Sequence, residues 1–338
     1  MTRREVAADS APAGDQPSTG TDRHGLAPLD TSVPPWPGTM ETYAGLRLHV
    51  RRTPGPSHED STGASPATPA VFVHGLGGSA SNWTDLAGLL APRMSGVALD
   101  LPGFGRSEPP PGGVYSMAAS ADVVTALLER TGPAHLFGNS MGGAVAITVA
   151  ARRPDLVRTL TLVSPAVPDL RPNPRRVADA RLPLAYVPVL GPVVRRRLEA
   201  ESPLDRARAL VQLCFAEPDL VPQNRLEQAI AEAQERGGQA WAAEALGRSF
   251  SALLASWVTL PSRSLWADAQ RITAPTLVVW GAQDKLVDVG RGPRLVSRLA
   301  RGRLLVLNRV GHVAQMERPV VVARAVVDML EAVEHGEW

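Results

Sequence analysis

Gly138-Asn139-Ser140-Met141-Gly142-Gly143 separates two stretches of different hydrophobic period. Before it, Ala134-His135-Leu136-Phe137 is a short apolar run of strand length. After it, Ala144-Val145-Ala146-Ile147-Thr148-Val149-Ala150-Ala151 reads as a buried helix that ends near Arg153-Pro154. A serine flanked by glycines at a strand-to-helix junction is the G-x-S-x-G pattern that makes Ser140 a candidate nucleophile. The glycines have a steric purpose. The turn is tight, its serine is held in a strained backbone conformation, and neighbours without Cβ let strand and helix approach. The hydroxyl then stands exposed at the positive end of a helix. An ordinary Gly-rich βα turn has the same local pattern, so the reading depends on partners elsewhere in the chain.

A hydroxyl is a weak nucleophile near neutral pH. It needs a base, and the base needs a group that orients it. For an elbow serine these follow in the order Ser, Asp/Glu, His. Thr276-Leu277-Val278-Val279-Trp280 is strand-like and runs into Gly281-Ala282-Gln283-Asp284, which puts Asp284 just past a strand end. Arg303-Leu304-Leu305-Val306-Leu307 is the next such run, and Asn308-Arg309-Val310-Gly311-His312 follows it. Open α/β sheets place their sites beyond the carboxyl ends of strands. Asp284 and His312 are therefore the candidate acid and base, with Asp288 the second candidate acid. Upstream, the strand-like Ala70-Val71-Phe72-Val73 leads into His74-Gly75-Leu76-Gly77-Gly78. Such a turn can aim a backbone N–H at a developing oxyanion beside the N–H of Met141. Leu76 is the expected donor and Gly77 the second choice, while His74 is expected to orient the loop.

Together with Asp100-Leu101-Pro102-Gly103-Phe104-Gly105-Arg106-Ser107, these pieces resemble the α/β-hydrolase superfamily from about Thr39 to the end of the chain. The resemblance implies an α/β fold with a mostly parallel, eight-stranded-type sheet flanked by helices and a helical lid insertion. It implies Ser140 as nucleophile, Asp284 as acid, His312 as base and the Leu76 and Met141 N–H groups as oxyanion hole. It calls for no metal or organic cofactor. The favoured expectation is hydrolysis of a carboxylic ester of a small or medium apolar substrate. The elbow and Gly311-His312-Val313-Ala314-Gln315 also resemble the meta-cleavage-product hydrolases, which cleave carbon–carbon bonds in dioxo acids. Two departures weigh against that second reading: Val313 stands where that group usually has tryptophan, and Arg225 is offset from its lid arginine. A serine at the elbow argues against epoxide- and haloalkane-opening relatives, which use a carboxylate there. A non-catalytic receptor or scaffold is the third reading, disfavoured because all three triad residues are retained.

Residues 1–36 are rich in Ala, Pro, Gly, Ser, Thr and Asp without hydrophobic period and read as a disordered tail. The hydrolase domain is expected over 37–338. An opening hairpin about Ala44-Gly45 precedes strands near 70–73, 95–99, 134–138, 159–163, 276–280 and 303–307. Helices are expected near 83–90, 117–130, 141–152, 291–300 and 319–335. Such alternation implies a mainly parallel sheet. The interval of about 167–271 shows helical patterns and no strand, and is the expected lid. Leu182 to Leu190 is its most apolar part, and Trp241, Trp257 and Trp266 are expected to pack in cores.

Thirty-five basic against 33 acidic residues leave a net charge of +2, and Lys285 is the sole lysine. No basic patch with interleaved aromatics points to nucleic acid, and Arg195-Arg196-Arg197 reads as a solvated helix face. The partner expected is a small-molecule substrate. Cys214 is the only cysteine, no metal-ligand spacing occurs, and no stretch approaches the ~18–20 apolar residues of a membrane span. With no apolar run behind Arg3-Arg4, the expected location is cytoplasmic.

Overall fold

The computed structural model describes residues 4–7, 22–53, 68–169 and 202–338. One nine-stranded sheet organises them: β1 (Arg4–Ala7), β2 (Gly38–Tyr43), β3 (Leu46–Arg52), β4 (Thr68–Val73), β5 (Met94–Leu99), β6 (Ala134–Asn139), β7 (Val157–Val163), β8 (Thr276–Gly281) and β9 (Gly302–Leu307). Their spatial order is β1-β9-β8-β7-β6-β4-β5-β3-β2. The β2–β3 hairpin and the β3–β5 pair are antiparallel, and the other pairs are parallel. The fold class is the α/β fold expected from the sequence. The ninth strand is an addition: β1 runs parallel to β9, with Arg4 opposite Leu304.

The local reasons are plain. β8 is buried at all six positions, and its unbroken apolar run suits a parallel strand covered on both faces. α3 (Met141–Arg152) is buried from Met141 through Ala150, as expected of a helix apolar on every side. It packs with α2 (Met117–Thr131) on one face of the sheet, against Leu136, Leu160 and Val278. On the other face α1 (Thr84–Leu90) and α10 (Pro319–Glu334) cover Phe72, Phe137 and Val279. There Phe72 stacks on Phe137 at 4.5 Å between ring centres, with Trp83 tilted against Phe72 at 5.4 Å.

The tail reading of residues 1–36 is corrected only where the structure describes them, at 4–7 and from 22 onward. Besides β1, the segment from Asp22 lies on the domain, with Leu26 only 3% exposed in the cluster of α1 and α10. His24 Nε2 lies 3.0 Å from Asp328, and Arg324 Nε donates to Asp22 at 2.7 Å. That bond holds the Asp22 carboxyl well below the usual carboxylate range. Single anchors in an Ala/Pro/Gly-rich stretch leave no period to read.

The interval expected as a lid contains α4 (Pro203–Cys214), α5 (Gln223–Gly237), α6 (Ala242–Trp257) and α7 (Leu265–Arg271) among its described residues; α8 (Gly292–Val296) and α9 (Ala314–Glu317) lie between it and α10. Leu182 to Leu190 and Arg195 to Arg197 lie outside the described residues. Trp266 is buried, whereas Trp241 and Trp257 are only partly so. No described helix is long and apolar enough to cross a membrane. No described group of three or more His, Cys, Asp or Glu is arranged to hold a metal ion.

Candidate active site

Ser140 follows β6 directly and precedes α3 with φ 53° and ψ −118°, a backbone region that is costly for any residue with a Cβ. Its N–H donates to Val163 O at 3.0 Å, and its carbonyl accepts from Ala144 at 3.1 Å and Ala166 at 2.9 Å. Its side chain makes no capping bond to the helix. The glycines are required by contact: a Cβ on Gly142 would lie 2.3 Å from Val73 O, and one on Gly138 would lie 2.5 Å from Gly142 O. Met141 opens α3, so its N–H is among the donors that have no intrahelical acceptor.

His312 arrives on the loop after β9. Its Nδ1 lies 2.9 Å from Asp284 Oδ2, and both side chains are at most 5% exposed. Asp284 Oδ1 accepts the N–H groups of Leu286 at 2.8 Å and Val287 at 3.0 Å. An ionised carboxylate only accepts, so Nδ1 carries the proton and Nε2 of the neutral ring keeps its lone pair. Asp288, the second candidate, is not the partner of His312 in this geometry: it caps the turn Val289–Arg291, accepting from Gly290 N at 2.9 Å.

Past β4, Gly78 N donates to Gly75 O at 3.1 Å. Leu76 and Gly77 are the central residues of this turn, and Gly77 has φ 78°, the left-handed value that a type II turn assigns to glycine. Gly75 packs against the elbow, since a Cβ there would be 3.0 Å from Ser140 Cβ. The structure thus places the Leu76 turn beside Ser140. His74 is fully buried; Leu101 N–H donates to its Nε2 at 2.9 Å, and its Nδ1 lies 2.7 Å from Gly75 O. An accepting Nε2 leaves the proton on Nδ1, so His74 donates to Gly75 O and orients this turn. Burial lowers its pKa and keeps it neutral.

Four supporting residues escaped the sequence reading. Asn139 Nδ2 donates to Val163 O and to His312 O, both at 3.1 Å, and so ties elbow to histidine loop. Glu317 accepts Gly311 N at 2.6 Å on one oxygen and Ala216 N at 2.8 Å on the other, while His312 N donates to Cys214 O at 2.7 Å. The histidine loop and the segment after α4 are therefore joined. Asp100, at 2% exposure, accepts from Ala80 N at 2.6 Å and Arg106 N at 2.9 Å, with His49 Nδ1 at 2.8 Å. Burial alone would raise its pKa, but these bonds hold it below the ordinary value. On α5, Arg236 lies over the Phe104 ring at 4.9 Å and donates to Gly77 O at 3.2 Å. Burial lowers its pKa to about 10. Asn139 and Asp100 sit in quoted motifs whose pattern assigns them no role; Glu317 and Arg236 carry no local signal.

Arg225 is engaged elsewhere. It forms an ion pair with Asp85 of α1 and donates to Val33 O at 2.9 Å.

A family model described as the alpha/beta hydrolase fold matches residues 68–319. The chain is 27% identical over 285 residues to a 2-hydroxy-6-oxononadienedioate/2-hydroxy-6-oxononatrienedioate hydrolase of Cupriavidus pinatubonensis, covering 81% of this chain and 90% of that one. It is 26% identical over 279 residues to a monoacylglycerol lipase of Xenopus laevis, covering 78% and 75%. Among solved structures, a 2-hydroxy-6-oxo-6-phenylhexa-2,4-dienoate hydrolase from Rhodococcus sp. strain RHA1 superposes with a TM-score of 0.69 at 24% identity, covering 88% of this chain and 99% of that one.

Proposed function

We infer that this chain, which belongs to the α/β-hydrolase fold family, is a serine hydrolase working through an acyl-enzyme on a carboxylic ester of a small or medium apolar substrate. The observation that carries this reading is the His312–Asp284 pair at 2.9 Å behind a strained, uncapped elbow serine. His312 Nε2 takes the Ser140 proton as the hydroxyl attacks the ester carbonyl. Asp284 holds the imidazole in the productive tautomer and stabilises the imidazolium. The Leu76 and Met141 N–H groups hold the tetrahedral oxyanion, a donor of this kind being worth roughly 3 kcal/mol. His312 returns the proton to the leaving alcohol, then activates the water that releases the acid. No step needs a metal or organic cofactor.

Carbon–carbon hydrolysis of a dioxo acid is the second reading, favoured by the likeness to the Cupriavidus hydrolase. Val313 after the base and the Arg225–Asp85 pair weigh against it. Turnover of p-nitrophenyl esters of rising chain length, run beside a dioxo-acid ring-fission product, tests the choice. Preference for the esters is expected. A kcat/KM higher on the dioxo acid would replace the first reading by the second, and no turnover of either would remove both.

A further inference from the structure

Residues after β7, residues after β8 and the helices α6 and α7 line a cavity of about 620 Å³ whose lining includes none of Ser140, Asp284, His312, Leu76 and Met141. Among the described residues, Arg291, Arg294 and Arg298 line it together with Trp257, Trp266 and one carboxylate, that of Asp169. The Arg291 side chain is 6% exposed. Its guanidinium pairs with Asp169, and its buried Nε has no partner among the described residues. The Arg294 guanidinium stacks over the Trp266 ring at 4.3 Å.

Among the described residues the cavity thus brings three arginines to one wall with a single carboxylate; Arg294 is held by its indole stack and Arg291 is buried with an unanswered donor. Burying a charge or a donor without a partner is costly, so this wall is suited to receive a further anion. Guanidinium forks match the geometry of carboxylates and phosphates, and they do so best on preorganised, stacked side chains. The two indole rings add apolar surface, which an inorganic ion would not use.

We propose that this cavity is a binding site, separate from the triad, for an organic oxyanion: a carboxylate or phosphate head on an apolar body, taken up as a free molecule.

The test uses the full chain with Ser140→Ala, so that binding is read without turnover and independently of the proposed hydrolysis. Calorimetric titration with octyl phosphate, octanoate, octan-1-ol and inorganic phosphate is expected to show one saturable site for the two amphiphilic anions. Octan-1-ol and inorganic phosphate should each bind at least about tenfold more weakly. Arg294→Gln and Arg298→Gln should each weaken the anions by about tenfold or more, as expected for loss of a charged hydrogen bond, without moving the melting temperature. Arg291 is left intact because its removal would strand Asp169. Equal affinity for octan-1-ol, or unchanged affinity in the Arg294→Gln/Arg298→Gln double variant, would overturn the site. So would flotation with phosphatidic-acid vesicles, but not phosphatidylcholine vesicles, when octyl phosphate gives no titration. The anion would then be read on a lipid surface rather than in the cavity.

Discussion

Asn139 and His312 are joined directly: the Asn139 Nδ2 donates to the His312 carbonyl at 3.1 Å and, from the same nitrogen, to the Val163 carbonyl at 3.1 Å. The Ser140 turn, β7 and the His312 loop therefore meet at one buried amide. Asn139→Ala should leave the buried His312 carbonyl without this donor, while Val163 O keeps the Ser140 N–H, costing about 1–3 kcal/mol in denaturant unfolding. If the amide also positions His312, kcat on the best ester should fall about 10- to 100-fold in protein that is still folded, with KM nearly unchanged. An unaltered kcat would make the amide a purely structural tie.

Ser140→Ala should abolish labelling by a fluorophosphonate probe and lower turnover by about 10⁴–10⁶-fold, the cost of losing a triad nucleophile. Ser140→Gly should be equally inactive yet more stable than Ser140→Ala by about 1 kcal/mol. Glycine accepts the φ of 53° that costs a Cβ-bearing residue about 1–3 kcal/mol. A folded Ser140→Ala protein that labels normally would move the nucleophile elsewhere.

Asp284→Asn should keep the fold but lower kcat by up to about 10⁴-fold, because an amide at the Oδ2 position can favour the wrong imidazole tautomer. Asp288→Asn should be mild, since an asparagine caps the Val289–Arg291 turn about as well. Steady-state kinetics of the two variants decide between them, and the reverse ranking would assign the acid to Asp288.

What the sequence made legible follows the strength of local signals. Strands such as Thr276–Gly281 and helices such as Met141–Arg152 are long, uniformly apolar runs between turn residues, and their limits were readable within one or two positions. Asp284 and His312 were readable because each follows such a strand. The docking of Leu26 was not: one leucine among Ala, Pro and Gly has no period, and its burial depends on a surface made by α1 and α10. Nor was the link from Glu317 to Ala216 and Gly311. Its partners are backbone N–H groups, which every residue but proline has, so side-chain identity marks neither end.

His135 gives a pH dependence. Burial lowers its pKa to about 4, with Arg158 adding to the effect, against an ordinary value near 6.5. Between those values the unfolded chain binds a proton that the folded chain refuses, so this residue makes stability fall as pH drops from about 6.5 to about 4. The full displacement is worth up to about 3 kcal/mol. Urea unfolding of His135→Gln at several pH values should show a shallower loss over that window than the parent protein. Parallel pH profiles would mean that His135 titrates normally in the folded state.

The last expectation concerns the N-terminal segment. Leu26 is 3% exposed and shares its cluster with Trp83, Leu86 and Leu90 of the α1 region and Val326 and Met329 of α10. It is flanked by the His24–Asp328 and Asp22–Arg324 contacts. Further along, Arg225 of α5 donates to Val33 O at 2.9 Å. The segment therefore spans α10 and α5 as a strap. Leu26→Ala should cost about 2–4 kcal/mol, as other buried leucine truncations do. Deleting residues 1–35 should cost at least as much, because it removes the leucine and the polar contacts together. The proposed triad follows the carboxyl ends of β6, β8 and β9, whereas Arg93, just before β5, donates to the His24 carbonyl at 2.7 Å, so kcat of the folded fraction at low temperature should be unchanged in Leu26→Ala. Denaturant unfolding beside ester kinetics measures both quantities. A deletion variant within about 0.5 kcal/mol of the full chain would mean that the strap adds no stability.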